Sequence, residues 1–208
     1  EIYHCYKNKD GVKVFLDDYA YLAQLMINLY ETTGEINYLE DAKKIVQQTW
    51  DLFYDKENKI LQKNPIKQND LFVPPLDIND SNIPNGNSVF LLNCKKLEAI
   101  TNDTKWQDMT KELIQSFHSF LNLKSTQMVS YIKNLDMCEE LTTFTFFGDI
   151  KKIKELQQFV KKNYLKSSTL IYKEDPKENY LVVCKNQTCS NKIKSIEELK
   201  SIVKNYAI

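Results

Sequence analysis

Apolar residues recur every three or four positions through Phe15, Leu16, Tyr19, Leu22, Ala23, Met26, Leu29 and Tyr30, the stripe of an amphipathic helix. Thr33-Gly34 ends it, because glycine adopts the left-handed backbone of a helix C-cap without steric cost. Asn37 and Glu40 predict a capping-box start for a second helix with the stripe Leu39, Ala42, Val46, Trp50 and Phe53. After a long polar stretch a second pair follows: Val89, Leu92, Leu97 and Ile100, then Trp106, Met109, Leu113, Phe117 and Phe120. Thr33, Tyr38, Lys43 and Ile45 align with Thr101, Trp106, Lys111 and Leu113 at a constant offset of 68 residues, with Asn102 at the cap position of Gly34. A shorter helix over about 125–137 opens a third unit. A hairpin cannot bury both faces alone, so repeated hairpins stack or close into a ring. Six at this spacing need roughly 400 residues, so the chain reads as about half of a ring and as a fragment.

The period changes near 140. Thr142-Thr143-Phe144-Thr145-Phe146-Phe147 is β-branched and aromatic, a strand pattern ended by Gly148-Asp149. A helical stripe of Ile150, Ile153, Leu156, Val160 and Tyr164 follows, then strands at Thr169–Tyr172 and Tyr180–Cys184. Ser195 and Glu198 predict a capping box for a last helix. The expected organisation is helical hairpins over 1–140 and a small α/β region over 141–208. Its first strand–helix–strand should be a parallel, right-handed crossover.

Composition narrows the function classes. The 208 residues carry 28 acidic and 28 basic side chains, every basic one a lysine. A neutral chain without arginine has no electrostatic footprint for nucleic acid. No apolar run approaches the ~20 residues that span a membrane. With four glycines the sequence contains no GxGxxG and no P-loop, and it presents no cofactor motif. Five irregularly spaced cysteines and no apolar leader fit a reducing, cytoplasmic setting better than a disulfide framework. Two histidines without an HExxH pattern give no zinc-type metal site.

Candidate chemistry lies in four places. Pro84-Asn85-Gly86-Asn87-Ser88 precedes an apolar helix that Asn87 or Ser88 can cap, and the free N–H groups of such a start favour an oxygen-rich ligand; the structural alternative is a helix start alone. Asp17 and Asp18 point about 100° apart on a helix, so one can face a ring interior as a general acid or base; the alternative is a first-turn acid that meets the helix dipole. His4 is the candidate site histidine, since His118 lies beside Phe117 in a helical stripe. Cys184 and Cys189 lack CxxC spacing and read as ordinary thiols after a strand, with a transient disulfide or half a metal site as alternatives.

Phe15-Leu16-Asp17-Asp18-Tyr19-Ala20, Leu29-Tyr30-Glu31, Thr33-Gly34 with Tyr38-Leu39, Pro84–Val89 and Val183-Cys184-x-Asn186-x-Thr188-Cys189 occur in that order. In this they resemble the YyaL/spermatogenesis-associated protein 20 family of thioredoxin-domain-containing proteins. The resemblance implies a thioredoxin-like domain followed by an (α/α)6 toroid, related to N-acylglucosamine 2-epimerase and the six-hairpin glycosidases. This chain would then be the C-terminal part, mainly α with a small α/β region. The implied activity is carbohydrate handling: Asp17, Asp18 and Asp80 as acid/base groups, and His4, Tyr6, Asn85, Asn87 and Ser88 as ligands of a sugar-like molecule. The alternative is a non-catalytic scaffold or redox-accessory module for a thioredoxin-like domain, acting through Cys184 and Cys189. The remaining toroid and that domain would be partners, in cis or in trans. Two family segments depart from pattern. Ile2-Tyr3-His4-Cys5-Tyr6-Lys7 lacks the usual arginines, and the stretch from Pro74 to Pro84 keeps Asp80 but not the usual arginine, lysine and tyrosine. Lysine does not replace a bidentate arginine.

Overall fold

A computed structural model describes residues 2, 4, 14–67, 78–164, 168–186 and 188–206. The chain is mainly helical with a small sheet, and it divides into two compact units, each treated by itself. One comprises residues 1–30 and 35–136; the other comprises residues 31–34 and 137–208.

In the first unit, α1 (Leu16–Thr33) and α2 (Ile36–Phe53) form one hairpin, and α3 (Gly86–Thr101) and α4 (Thr104–Lys124) a second. α5 (Val129–Glu139) follows. The hairpins turn at equivalent places. Gly34 has φ 77° after α1, and Asn102 has φ 55° after α3, its N–H returning to the Glu98 carbonyl at 2.8 Å. Both are left-handed caps, the conformation for which glycine and asparagine are selected.

Other helix boundaries differ from the sequence reading. α2 starts at Ile36 after Glu35 with no side-chain cap, so Asn37 is inside the helix and Glu40 pairs with Lys43 at 2.9 Å instead. α3 is capped by Asn85, whose side-chain oxygen accepts from the Ser88 N–H at 3.0 Å; neither Asn87 nor Ser88 holds that position. A side-chain N-cap of this kind contributes about 1 kcal/mol. α3 also carries more than one apolar stripe: twelve of its sixteen residues are buried, so it is enclosed on every side. Around it lie Trp106 and Phe117 of α4, with Phe117 stacked on Tyr131 of α5 at 4.6 Å. Trp50 of α2 stacks on Phe90 at 6.2 Å, and the Asn93 amide donates to the Ala20 carbonyl of α1 at 2.8 Å. The long connection after α2 contains an unforeseen hairpin of β1 (Tyr54–Asp55) and β2 (Ile60–Leu61).

In the second unit, β3 (Thr142–Phe147), α6 (Lys154–Tyr164), β4 (Ser168–Lys173), β5 (Tyr180–Lys185), β6 (Thr188–Cys189) and α7 (Ile196–Tyr206) form a sheet of order β4-β3-β5-β6 with two helices. β3 pairs parallel with β4, as the sequence predicts, and antiparallel with β5. Phe144, Phe146, Leu170, Leu181 and Val183 meet Leu156, Val160 and Leu199 in its core. The predicted capping box forms with a shift: the Glu198 N–H donates to Ser195 Oγ at 3.2 Å, while the Glu198 carboxylate accepts from the Lys194 N–H at 2.7 Å. Residues 31–34 complete this unit along edge strand β4. Thr169 Oγ1 donates to Glu31 Oε1 at 2.7 Å, and the Leu170 N–H reaches the same oxygen at 3.3 Å. Among the described residues no helix is long and apolar enough to cross a membrane.

Candidate functional site

The paired acids of α1 have separate surroundings. Asp18 is the third residue of the helix, and its Oδ2 accepts from the Phe15 N–H at 2.9 Å, the carboxylate half of a capping box. The His4 imidazole lies on its other side, Nδ1 at 2.9 and 3.0 Å from the two Asp18 oxygens, with its ring edge-on to Phe15. Asp17 packs beside Gly86. A Cβ at Gly86 would stand 2.6 Å from Asp17 Oδ1 and 2.8 Å from Leu16 Cγ, so glycine is required there for close approach.

Asp80 is a structural hub. Its Oδ1 accepts from the Asn85 N–H at 3.1 Å, from the Asn85 amide at 3.0 Å and from the Ser130 hydroxyl. Its Oδ2 accepts from the Ser130 N–H at 2.7 Å, in the first turn of α5. Burial alone would raise this carboxyl's pKa, but the hydrogen bonds from Ser130 and Asn85 outweigh it and hold it below the ordinary carboxylate range. The result is an ionised group with its acceptor sites occupied, suited to joining the start of α3 to the start of α5.

Sequence reasoning missed Tyr21, whose phenol feels the charges of both Asp17 and Asp80. Its hydroxyl donates to the Pro84 carbonyl at 2.9 Å. Burial, then the charges of Asp17 and Asp80, push its pKa above the ordinary phenol value. One signal was available, since Tyr21 is four residues after Asp17 and therefore on the same helix face. Ser130 was missed too, because nothing local to it signals its partner.

The amides of the Pro84–Ser88 segment are directed inward. Asn85 Nδ2 also donates to the Ile78 carbonyl at 3.1 Å. Asn87, fully buried, pairs with the backbone of Leu61. Ser88 Oγ is buried with no hydrogen-bond partner, while the Ser88 carbonyl accepts from the Asn134 amide at 2.8 Å. Tyr6 lies outside the described residues, as does the stretch from Pro74 to Asp77.

The second unit holds the cysteine pair. Cys184 and Cys189 are disulfide-bonded and face each other directly across β5 and β6, with Cα atoms 4.0 Å apart. This corrects the reading of two ordinary thiols, and with both sulfurs bonded to each other neither is free as half of a metal site. CxxC spacing was the wrong criterion, because a short hairpin brings residues five apart into register. Cys189 is exposed and Cys184 half-buried. A cavity of about 500 Å³ elsewhere in this unit is bordered by Lys151, Lys152, Lys154 and Lys194, but these lysines are exposed and Ser195 already serves the start of α7. No group of His, Cys, Asp and Glu among the described residues could hold a metal ion.

No family model matches the chain. Human spermatogenesis-associated protein 20 is 24% identical over 219 residues, covering 91% of this chain and 27% of the human protein. The rat protein of the same name is 25% identical over 171 residues, covering 80% and 22% respectively. An uncharacterised Caenorhabditis elegans protein is 21% identical over 94% of this chain and 29% of its own length. The chain thus spans about a quarter of the length of the curated relatives it matches. Each match runs over most of this chain, and together they show weak but consistent homology to spermatogenesis-associated protein 20.

Proposed function

We propose that this segment is a non-catalytic helical scaffold joined to a redox-accessory unit whose Cys184–Cys189 disulfide exchanges with a thioredoxin-like dithiol. The observation that carries it is the contrast between the two candidate sites. Asp18, Asp80, Asn85 and Asn87 are engaged with backbone groups of the fold, whereas the disulfide lies on an exposed hairpin. The partner is a thioredoxin-like domain, in cis or in trans, and the two hairpins are part of an α/α toroid whose other hairpins lie elsewhere. Their support is the 68-residue spacing of the left-handed caps at Gly34 and Asn102. A cytoplasmic setting suits such a bond if it cycles, since disulfides there are mostly transient or catalytic. The test is the rate at which a reduced thioredoxin-type protein opens Cys184–Cys189, followed by mass. Opening at least 10-fold faster than by glutathione at equal thiol concentration supports the reading; opening no faster sinks it.

A second reading, carbohydrate handling, is favoured by one observation: Asp17 and Asp80 both act on Tyr21. In it Asp17 is the acid/base group, Tyr21 a hydroxyl donor, and a sugar-like molecule the ligand. Binding of simple sugars by the full-length protein, measured by calorimetry and lost in D17N, supports it. Binding unchanged by D17N removes Asp17 from the site.

A further inference from the structure

We infer that thiol–disulfide exchange at this hairpin is one-sided: an incoming thiolate attacks Cys189 Sγ, and Cys184 is always the leaving sulfur. The inference rests on the redox reading above and adds which sulfur reacts.

Displacement at sulfur proceeds in line, the nucleophile entering opposite the departing sulfur, so access along that line decides which atom is attacked. Strand order supplies the line here. β5 lies between β3 and β6. Cys184 on β5 is the register partner of Thr143 on one side and of Cys189 on the other. The line from Cys189 through Cys184 therefore continues over β3, where Thr143 shares the same sheet face, and then over its β4 register partner Thr169, which is fully buried. The opposite line, from Cys184 through Cys189, leaves the sheet at its edge. β6 is that edge and is exposed at both residues, while Cys184 is half-buried.

In the first step a dithiol's thiolate forms a bond to Cys189 Sγ, the Cys184–Cys189 bond breaks, and its electron pair leaves on Cys184, which then takes a proton from water. In the second step the dithiol's other thiolate attacks its own sulfur in the mixed disulfide and expels Cys189 as a thiolate. The hairpin gains two electrons and the dithiol leaves as a disulfide. The hairpin stays aligned without its sulfur link. The Ser190 N–H donates to the Val183 carbonyl at 2.8 Å, the Val183 N–H to Ser190 Oγ at 3.1 Å, and Leu181 and Ile193 exchange two bonds of 2.9 Å. The opposed cysteines can therefore reclose, and the site can cycle.

The oxidised full chain is mixed with a thioredoxin-type protein whose second cysteine is replaced by serine, and separately with reduced glutathione. Both reactions are quenched in acid at short times and the adducts mapped by peptide mass spectrometry. At least 10-fold more adduct on Cys189 than on Cys184 is expected; equal amounts, or an excess on Cys184, overturn the inference. Because reclosure can shorten an adduct's life, loading of C184S and C189S by glutathione disulfide is compared as well. Cys189 in C184S should load at least 10-fold faster than Cys184 in C189S, and equal rates overturn the inference. A glutathione adduct on Cys189 with no opening by the thioredoxin-type protein leaves the one-sided attack standing and removes the redox-accessory reading.

Discussion

The Asn87 side chain pairs with the Leu61 backbone as a neighbouring strand would, accepting from the Leu61 N–H at 3.1 Å and donating to the Leu61 carbonyl at 2.9 Å. Leu61 lies in the two-residue strand β2, and both residues are fully buried. N87A leaves a buried donor and a buried acceptor without partners and is expected to cost about 2–4 kcal/mol. N87D keeps the acceptor but places a carboxylate against the Leu61 carbonyl, and should be worse. Urea unfolding of both variants checks the order; a cost for N87A below about 0.5 kcal/mol removes the structural role.

Asp80 gives the first unit an acid limit. Its folded-state pKa is lowered, so its stabilising effect is fully present above the unfolded value of about 3.9 and is lost as pH falls toward the folded value. D80N should be less stable than the parent at pH 7. The difference between the two should shrink progressively below about pH 4 as the parent's carboxylate takes a proton. Urea midpoints measured from pH 6 to pH 2 test this, and parallel profiles overturn it.

Local conformational demands could be read from the sequence, and distant partnerships could not. Thr33-Gly34 and the equivalent Asn102 are identifiable because a left-handed cap restricts residue type at one position. The strands near Thr142 and Tyr180 are identifiable because β-branched and aromatic runs have few other uses. Asp80 and Ser130 are 50 residues apart, and Glu31 and Thr169 are 138 apart; no spacing rule connects either pair. Asn87 shows a further limit. An asparagine before an apolar helix has the same chemistry whether it faces a ligand or a strand backbone, so only its orientation separates the two roles. The disulfide stood only as an alternative for a related reason, because cross-strand register rather than sequence spacing brings Cys184 opposite Cys189.

Two glycines of the second unit should differ in their tolerance of alanine. Gly148 has φ 92°, and a Cβ there would collide with the Glu178 carbonyl oxygen, which is backbone, and with Asn179 Oδ1. Gly34 has φ 77°, but its nearest obstruction is the tip of the Ile150 side chain at 2.5 Å, which can rotate away. G34A should therefore cost about 1 kcal/mol from backbone strain alone. G148A adds an unrelieved clash to that strain and should cost about 2–3 kcal/mol. Thermal unfolding of the two variants under one buffer condition checks the ranking, and equal costs would show that the Glu178 backbone moves aside.

Opening the disulfide should weaken the second unit without unfolding it. The bond closes a loop whose ends are five residues apart, and loop entropy for so short a closure is worth about 2 kcal/mol. Neither sulfur belongs to the buried cluster of Phe144, Phe146, Leu181, Val183 and Leu199, so no core contact is lost with it. Cys94 and Cys138 form no disulfide, so the Cys184–Cys189 link is the only bond among the described residues that a phosphine reductant breaks. Hydrogen exchange with and without the reductant should show faster exchange at Lys185, Thr188 and Cys189, while the amides of β3 and α6 remain protected. The doubly substituted C184S/C189S chain should match the reduced protein. Loss of protection across β3 would mean that the disulfide holds the sheet together, and a bond with that role could not cycle in a folded protein.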